Sequence, residues 1–372
     1  MKPLSGIDMM EVMRLTRRGR LNEAMAMLGG TGRKSGSGAA AEDRAATPRP
    51  RAAPSAFPAG LAERWRRMAD AGAVRRTGAE PASPHDVPVP AGARFETRLF
   101  ANTAGTRDYK LYVPSKPAGR ALPLVVMLHG CTQSPDDFAA GTRMNELAEE
   151  FGFLVVYPAQ SKAANSSKCW NWFSAADQER ERGEPSLIAG ITREVIAEFG
   201  VDPKRVYVAG LSAGGAQAAI MGATYPDLFA AVGVHSGLAC GAARDVASAF
   251  AAMSKGGAPS TGRGTGIPTI AFHGDGDATV NKVNGEHVIA QAKAGDDFIA
   301  EREKGRSPGG VSYTRTRYRD GRGRALHEHW LLHGAGHAWA GGSSAGSYTD
   351  PGGPDASREM LRFFLEQDGP SR

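Results

Sequence analysis

Cysteine is scarce in this 372-residue sequence, and no long apolar run is present. The three cysteines are too few for a disulfide framework, and they show no CxxC or Cys/His spacing. No zinc site is therefore expected, and no cofactor is predicted for this chain. No stretch approaches the roughly 18 consecutive apolar residues of a transmembrane helix. Apolar residues still make up 41% of the chain, which is enough for a sizeable core.

The net charge of +6 is distributed unevenly along the chain. Residues 1–76 hold 15 of the 45 basic side chains and 7 of the 39 acidic ones, so this segment carries +8 and the remainder −2. A nearly neutral body offers no basic surface for a polyanion. We therefore expect no nucleic-acid partner.

The first 90 residues are predicted to form a helical appendage on a disordered linker. Apolar spacing in residues 1–28 predicts two short amphipathic helices separated at Gly19, which dock on the main body, on another subunit or on a lipid-coated granule. Residues 29–90 are rich in Gly, Ala, Ser, Pro and Arg and predict a flexible linker, with a short helix near 61–72. Leu21–Leu28 is too short and polar for the apolar part of an export signal. A cytoplasmic location is therefore favoured, with an extracellular one as the alternative.

Residues 91–368 predict the catalytic domain, in which strands alternate with helices after an opening hairpin. The predicted strands are 95–100, 109–113, 122–128, 153–157, 205–209, 230–235, 269–273 and 327–332. The predicted helices are 145–151, 187–199, 213–225 and 357–365. A Gly- and Arg-rich stretch before the last strand is expected to be mobile. This rhythm indicates an α/β fold with a doubly wound, mainly parallel sheet.

The segment 205–225 predicts a strand, a sharp turn and a helix, with Ser212 at the turn. Gly210 and Gly214 flank the serine and leave room for a strained backbone that projects the hydroxyl above the sheet. A second GxSxG at Gly342–Gly346 has no strand before it and no helix after it, so it is predicted to be a loop. Context therefore favours Ser212 over Ser344 as the nucleophile.

A serine nucleophile needs a base and an acid that holds the base. His337 follows the last predicted strand on a glycine-rich loop and is preferred to His333. Asp277 follows the preceding strand by a tight turn and is preferred to Asp275, which is also suited to forming a turn. The chain order Ser212, Asp277, His337 is the order found in α/β-hydrolases. The remaining candidates, His327 and His329, fall within the strand and are expected to pack there.

Other residues are expected to surround this site. The backbone N–H groups of Ala213 and Cys131 are predicted to form the oxyanion hole. Whether Cys131 forms a disulfide with Cys169 stays open. Such a bridge would leave Cys240 as a free thiol. Three tryptophans fall on predicted loops at the same edge and are expected either to line the substrate site or to pack in the core. These are Trp170, Trp172 and Trp339.

Taken together, five stretches resemble the polyhydroxybutyrate-depolymerase family of esterases, α/β-hydrolases related to feruloyl and acetylxylan esterases. They are Leu128–Gln133, Cys169–Phe173, Gly210–Gly214, Phe272–Asp277 with Asn284-Gly285, and Gly336–Trp339. The resemblance implies an α/β-hydrolase fold and hydrolysis of carboxylic esters through an acyl-enzyme. It implies the triad Ser212, Asp277 and His337, no metal, and a substrate-binding position for Gln133.

The resemblance also bears on the substrate. Family members that attack crystalline polymer carry an export signal and a polymer-binding domain, and neither is evident in this sequence. The leading hypothesis is therefore a serine esterase acting on hydroxyalkanoate oligomers or short acyl esters. A feruloyl or acetylxylan esterase is the alternative within enzymes. A granule-binding module with a vestigial hydrolase body is the hypothesis from another class.

Overall fold

The structure, a computed structural model, describes residues 87–116, 121–258 and 264–367. The helices predicted in 1–28, the helix near 61–72 and all but the last four residues of the linker lie outside the described residues. They stay predictions.

A ten-stranded mixed sheet runs through the described part of the chain, in the order β1-β2-β4-β3-β5-β6-β7-β10-β9-β8. Its strands are β1 Arg94–Asn102, β2 Gly105–Val113, β3 Leu124–Leu128, β4 Leu154–Pro158, β5 Val206–Leu211, β6 Ala231–His235, β7 Thr269–Gly274, β8 Ile299–Arg306, β9 Ser312–Arg319 and β10 Ala325–Leu332. The six central strands, from β4 to β10 in sheet order, are parallel to one another. An antiparallel pair of strands extends each edge.

Helices cover both faces of the sheet. They are α1 Pro135–Thr142, α2 Met144–Phe151, α3 Gly183–Phe199, α4 Ala213–Thr224, α5 Val246–Lys255, α6 Val283–Ala292 and α7 Ala356–Leu365. One hydrophobic core lies under α3 to α6 and a second under α1, α2 and α7. Strands β3 to β7 are buried along their whole length, as their unbroken apolar runs require. The predicted doubly wound α/β fold is confirmed.

Local sequence signals set several element ends. Ser134 caps α1 by accepting from the Asp137 N–H, and Pro135 follows at the first helical position. Asp355 caps α7 in the same way, through the Arg358 N–H. Gly152 ends α2 at φ 69°, a conformation that glycine adopts without cost. Short polar residues at these positions therefore decide where the chain turns.

The structure corrects two predictions about connections. The opening hairpin pairs Asn102 with Gly105, so its turn is shorter than the gap between the predicted strands 95–100 and 109–113. The stretch predicted to be mobile holds α6 and the antiparallel pair β8 and β9. Strand β8 is exposed along almost its whole length, so its residues need no apolar face and gave no strand pattern.

The carboxyl ends of β3, β5, β7 and β10 meet at one edge of the parallel sheet, where ligands bind in open α/β folds. Each strand leads there into a loop that the sequence marked as functional. A further two-stranded ribbon, β11 Trp339–Ala340 with β12 Thr349–Asp350, lies beyond β10. None of the described helices is long and apolar enough to cross a membrane.

Candidate active site

Ser212 occupies a strained turn between β5 and α4. Its φ of 57° and ψ of −118° lie outside the regions that a residue with a Cβ ordinarily adopts. The Ser212 N–H donates to the carbonyl of His235, at the end of the neighbouring strand, over 2.9 Å. This hydrogen bond fastens the turn to β6, so the surrounding structure maintains the strained backbone conformation.

The flanking glycines permit this turn because their neighbours leave no space for a side chain. A Cβ at Gly214 would lie 2.0 Å from the carbonyl oxygen of Leu128, and one at Gly210 would lie 2.3 Å from the carbonyl oxygen of Gly214. Real Cβ atoms do not approach backbone oxygens so closely. The GxSxG pattern at this position therefore follows from the close approach of β3, β5 and α4.

His337 and Asp277 form a buried hydrogen-bonded pair. His337 Nδ1 lies 2.7 Å from Asp277 Oδ2, and the two side chains are 4% and 0% exposed. The other oxygen of Asp277 accepts from the backbone N–H groups of Thr279 and Val280, over 2.9 and 2.8 Å. A carboxylate accepts only, so the proton of His337 sits on Nδ1 and Nε2 is left as the basic nitrogen.

The electrostatics keep Asp277 ionised. Burial alone would raise the pKa of this carboxyl, but the neighbouring His337, its hydrogen bond and the Val280 N–H lower the pKa of Asp277 from 3.8 to about 2. His273 lies 3.6 Å away, and burial lowers its pKa, so this second ring stays neutral. An ionised Asp277 can stabilise an imidazolium at His337.

Ser212 and His337 line the same cavity, which has a volume of about 20 Å³. The other lining residues are Gly130, Cys131, Gln133, Leu211, Thr279 and Tyr348. At the rim, the hydroxyl of Tyr348 lies 3.4 Å from Thr132 Oγ1. The cavity is therefore small and has an aromatic side chain on one wall.

The N–H groups of Cys131 and Ala213 are available as donors, since neither donates to another group in the part of the chain that the structure describes. His129 fixes the direction of the Cys131 N–H. Its Nε2 accepts from the Gln160 N–H at 3.0 Å, so its Nδ1 carries the proton and donates to the Gly130 carbonyl at 2.7 Å. In a trans peptide the C=O and the next N–H point in opposite directions. Holding the Gly130 carbonyl therefore orients the Cys131 N–H.

Gln133 lines the cavity, as expected, but its polar atoms bind the protein. Its Oε1 accepts from the Gly130 N–H at 2.9 Å, and its Nε2 donates to Asp137 at 2.8 Å and to the Ser347 carbonyl at 3.1 Å. The side chain is 3% exposed. Gln133 thus joins the loop after β3 to the loop around Ser347.

Cys131 and Cys169 form a disulfide, the pairing that the sequence left open. Cys240 is free and buried. The bridge joins the loop after β3 to the loop after β4, 38 residues apart. Cys131, which lines the cavity, is therefore covalently anchored. Among the residues described, no cluster of His, Cys, Asp and Glu is suited to hold a metal ion.

The three tryptophans lie in the core rather than on the cavity wall, with 0 to 2% of their surface exposed. The indole N–H of Trp170 donates to the carbonyl of His129 at 3.0 Å. That of Trp339 donates to Ser357 Oγ at 3.0 Å, and its ring packs on His235. Trp172 packs edge-on against Phe173. The rings therefore pack in the core, which is one of the two alternatives that the sequence left open.

The competing residues lie elsewhere. Ser344 is exposed in a turn. Asp275 and His333 form a second pair, with 3.0 Å between Oδ2 and Nδ1, but they are 26% and 39% exposed. His327 and His329 lie within β10, where burial lowers the pKa of each to about 4. None of them lines the cavity beside Ser212.

Sequence reasoning missed several residues around the cavity. Tyr348 and Thr279 line it, and His129 orients the loop after β3. Thr279 directly follows the Asp277 turn, and His129 stands next to Gly130. The sequence could therefore have indicated both, because they are neighbours of predicted site residues. Tyr348 gave no signal, because it reaches the site through the β11–β12 ribbon, an element too short to predict.

Known proteins resemble much of the chain. Poly(3-hydroxyalkanoate) depolymerase C of Paucimonas lemoignei is 34% identical over 266 residues, 68% of this chain and 61% of that protein. Feruloyl esterase B of Neurospora crassa is 36% identical over 144 residues, 38% of this chain and 48% of that protein. Acetylxylan esterase A of Talaromyces purpureogenus is 36% identical over 155 residues, 41% and 39% respectively. The chain thus spans less than two thirds of each of these relatives.

A solved structure and a family model extend the comparison. The acetyl xylan esterase from Aspergillus awamori superposes with a TM-score of 0.57 at 22% identity, covering 74% of this chain and 99% of that one, which shows a shared fold. The model described as Esterase PHB depolymerase matches residues 107–311, more than half of the sequence. On that match, the chain belongs to the esterase PHB depolymerase family.

Proposed function

We propose that this protein is a serine esterase that hydrolyses carboxylic esters through an acyl-enzyme. The observation that carries the proposal is the convergence on one cavity of a strained Ser212 and of His337, which is hydrogen-bonded to the buried Asp277. A serine at neutral pH needs such a base, and the base needs such a carboxylate. Family membership supports the same reaction.

In the proposed mechanism, Ser212 Oγ adds to the ester carbonyl carbon while its proton passes to His337 Nε2. The carbonyl oxygen becomes an oxyanion, which accepts from the N–H groups of Cys131 and Ala213. Collapse of this intermediate breaks the bond to the alcohol oxygen, and His337 returns the proton to that oxygen. Water then adds to the acyl-enzyme by the same route, and the carboxylic acid leaves with Ser212 restored.

The substrate proposal names hydroxyalkanoate oligomers or short-chain acyl esters. A relative named as a poly(3-hydroxyalkanoate) depolymerase supports the first. The cavity of about 20 Å³ supports short acyl groups and also favours a second candidate, an acetylxylan esterase, whose acyl group is acetyl. Initial rates on p-nitrophenyl butyrate, hydroxybutyrate oligomers, acetylated xylan and methyl ferulate separate these substrates. A strong preference for methyl ferulate would contradict the proposal.

The chain offers a matched pair of serines to test the mechanism. Ser212→Ala removes the nucleophile and is expected to lower kcat by a factor on the order of 10⁶. Ser344→Ala changes the second GxSxG and is expected to leave kcat unchanged. Labelling with a fluorophosphonate, followed by peptide mapping, identifies the reactive serine. A Ser212→Ala variant that keeps most of its activity would refute the proposal, whereas a fully inactive wild type that still binds granules would favour the binding-module hypothesis.

Two finer proposals concern location. The disulfide between Cys131 and Cys169 supports an oxidising compartment, the alternative to the cytoplasmic location favoured by the sequence.

We also propose that residues 1–28 attach the enzyme to a granule or lipid surface, as their amphipathic pattern predicts. Partition of the full chain and of a chain without residues 1–60 onto lipid-coated granules tests the attachment. Equal partition would remove it.

A further inference from the structure

A second cavity, of about 450 Å³, lies between α6 and the outer strands β8 to β10. It is much larger than the cavity at Ser212 and shares no lining residue with it. Its lining residues are Glu286, Ile289, Ala290, Lys293, Arg302, Thr314, Thr316, Tyr318, His329 and Leu331. We call it the outer groove.

Strand register concentrates positive charge on the groove side of the sheet. Arg302 pairs with Thr316, which pairs with His329, so these three side chains form one row across β8, β9 and β10. Lys304 pairs with Thr314 in the next row, so a second positive charge of β8 lies on the same face of the sheet. The two glutamates of β8 alternate with these cations and therefore point to the opposite face.

The cations of the two faces differ in their partners. On the opposite face, Arg319 lies 2.8 Å from Glu301, and Arg317 lies 3.5 Å from Glu303. On the groove side, neither Arg302 nor Lys304 has a carboxylate within 4.0 Å among the described residues, and the same holds for Lys293 on α6. The groove side thus presents positive charge that the protein does not neutralise by contact.

The groove also contains fixed groups that position these charges. Lys293 Nζ lies 4.8 Å from the centre of the Tyr318 ring, a cation–π contact that holds the ammonium over the groove wall. His329 is 9% exposed and its Nε2 has no partner among the described residues. Glu286 is the acidic residue of the lining. The lining therefore carries two positive charges against one negative charge.

The upper end of the outer groove adjoins the loops of the active site. Thr314 Oγ1 lies 2.9 Å from His333 Nε2, and His333 Nδ1 lies 3.0 Å from Asp275. Asp275 stands two residues before Asp277, and His333 four residues before His337. A ligand at Thr314 would therefore contact a side chain that is hydrogen-bonded to His333, which in turn pairs with Asp275.

We propose that the outer groove binds an organic anion, and that this anion is the carboxylate of a hydroxy acid or of a hydroxy-acid oligomer. A planar guanidinium such as that of Arg302 suits a carboxylate, with the Lys293 ammonium as a second contact. The anion site rests on the groove alone. Its identification as a carboxylate rests on the proposed function, because each hydrolysis of an ester produces one.

Binding to the full-length Ser212→Ala protein tests the proposal, since this variant cannot turn the ligand over. The probes are the 3-hydroxybutyrate dimer, its uncharged methyl ester and inorganic phosphate, measured by isothermal titration calorimetry. The dimer is expected to bind saturably and more tightly than its methyl ester. Replacing both cations, as Lys293→Gln with Arg302→Gln, is expected to weaken binding of the dimer by about tenfold or more.

The control removes the same charge from sites outside the groove, as Arg244→Gln with Arg322→Gln, and is expected to bind the dimer as the parent does. Equal losses in both double variants, or equal affinity for acid and methyl ester, would overturn the anion site. Phosphate binding as tightly as the dimer would overturn the carboxylate while supporting the anion site. Esterase activity of the wild type, assayed separately, decides the proposed function whatever the groove binds.

Discussion

Replacing Asp277 with asparagine tests the proposed site most directly, because the change keeps the size of the side chain while it removes the charge and alters the hydrogen bonding. Asp277 receives three hydrogens, from the N–H groups of Thr279 and Val280 and from Nδ1 of His337. An amide offers one oxygen and one NH₂ group. If the oxygen keeps the two backbone donors, the NH₂ group faces His337.

That arrangement forces His337 into the wrong tautomer. Its Nδ1 would have to accept from the new NH₂ group, so the proton would move to Nε2, the nitrogen that should take the proton from Ser212. In serine proteases with a Ser-His-Asp triad, the same replacement of the aspartate lowers kcat by a factor of about 10⁴, and the shared geometry predicts a loss of that order here. Because Asp277 does not line the cavity, KM is expected to change little.

Steady-state kinetics on p-nitrophenyl butyrate measures both constants. Asp275→Asn is the matched control, since Asp275 also pairs with a histidine but at an exposed position, where such a pair contributes little. Its kcat is expected to stay within about fivefold of the wild type. A kcat for Asp277→Asn within tenfold of the wild type, in a folded protein, would refute the assigned role of Asp277.

Three further outcomes follow from the site. Cys169→Ser opens a loop of 38 residues and is expected to lower the free energy of unfolding by about 4 kcal/mol in urea denaturation; an unchanged midpoint would contradict this. Tyr348→Ala enlarges the small cavity, so the ratio of p-nitrophenyl hexanoate to acetate hydrolysis is expected to rise by about tenfold, and a constant ratio would exclude Tyr348 from acyl selection. Gly214→Ala places a Cβ 2.0 Å from the Leu128 carbonyl oxygen and is expected to abolish soluble expression or activity; a normal variant would contradict the packing of the turn.

The parts of the fold and site predicted from the sequence share a physical cause. Buried parallel strands must be apolar on both faces, so β3, β5 and β7 are visible as unbroken runs. Ser212 and Asp277 each follow such a strand within a few residues, His337 follows the less apolar β10, and the carboxyl ends of parallel strands share an edge. Finding the strands in the sequence therefore places the three side chains near one another.

What the sequence could not predict depends on contacts between distant elements. The glutamates of β8 form ion pairs with arginines of β9, and cations alternate with these glutamates along β8, so that strand has no apolar face to detect. Two tryptophans next to the site turn inward, where distant groups accept their N–H hydrogens: the His129 carbonyl for Trp170 and Ser357 Oγ for Trp339. Neither partner is adjacent in the sequence. Periodicity therefore cannot distinguish a ring that faces a cavity from one that packs beneath it.

The two Asp–His pairs at this edge differ in burial, and this difference favours Asp277 over Asp275 for the proposed role in the site. Both pairs join the same two loops, and the aspartates differ by two positions in the chain. Asp275 accepts from His333 and from the Gly334 N–H at 2.6 Å in partial contact with solvent, so it fastens the loops from outside. The side chain of Asp277 is fully buried beside His337, where water screens its charge little. The exposed outer pair is therefore expected to contribute little, whereas the buried inner pair has the environment that the proposed role of Asp277 requires.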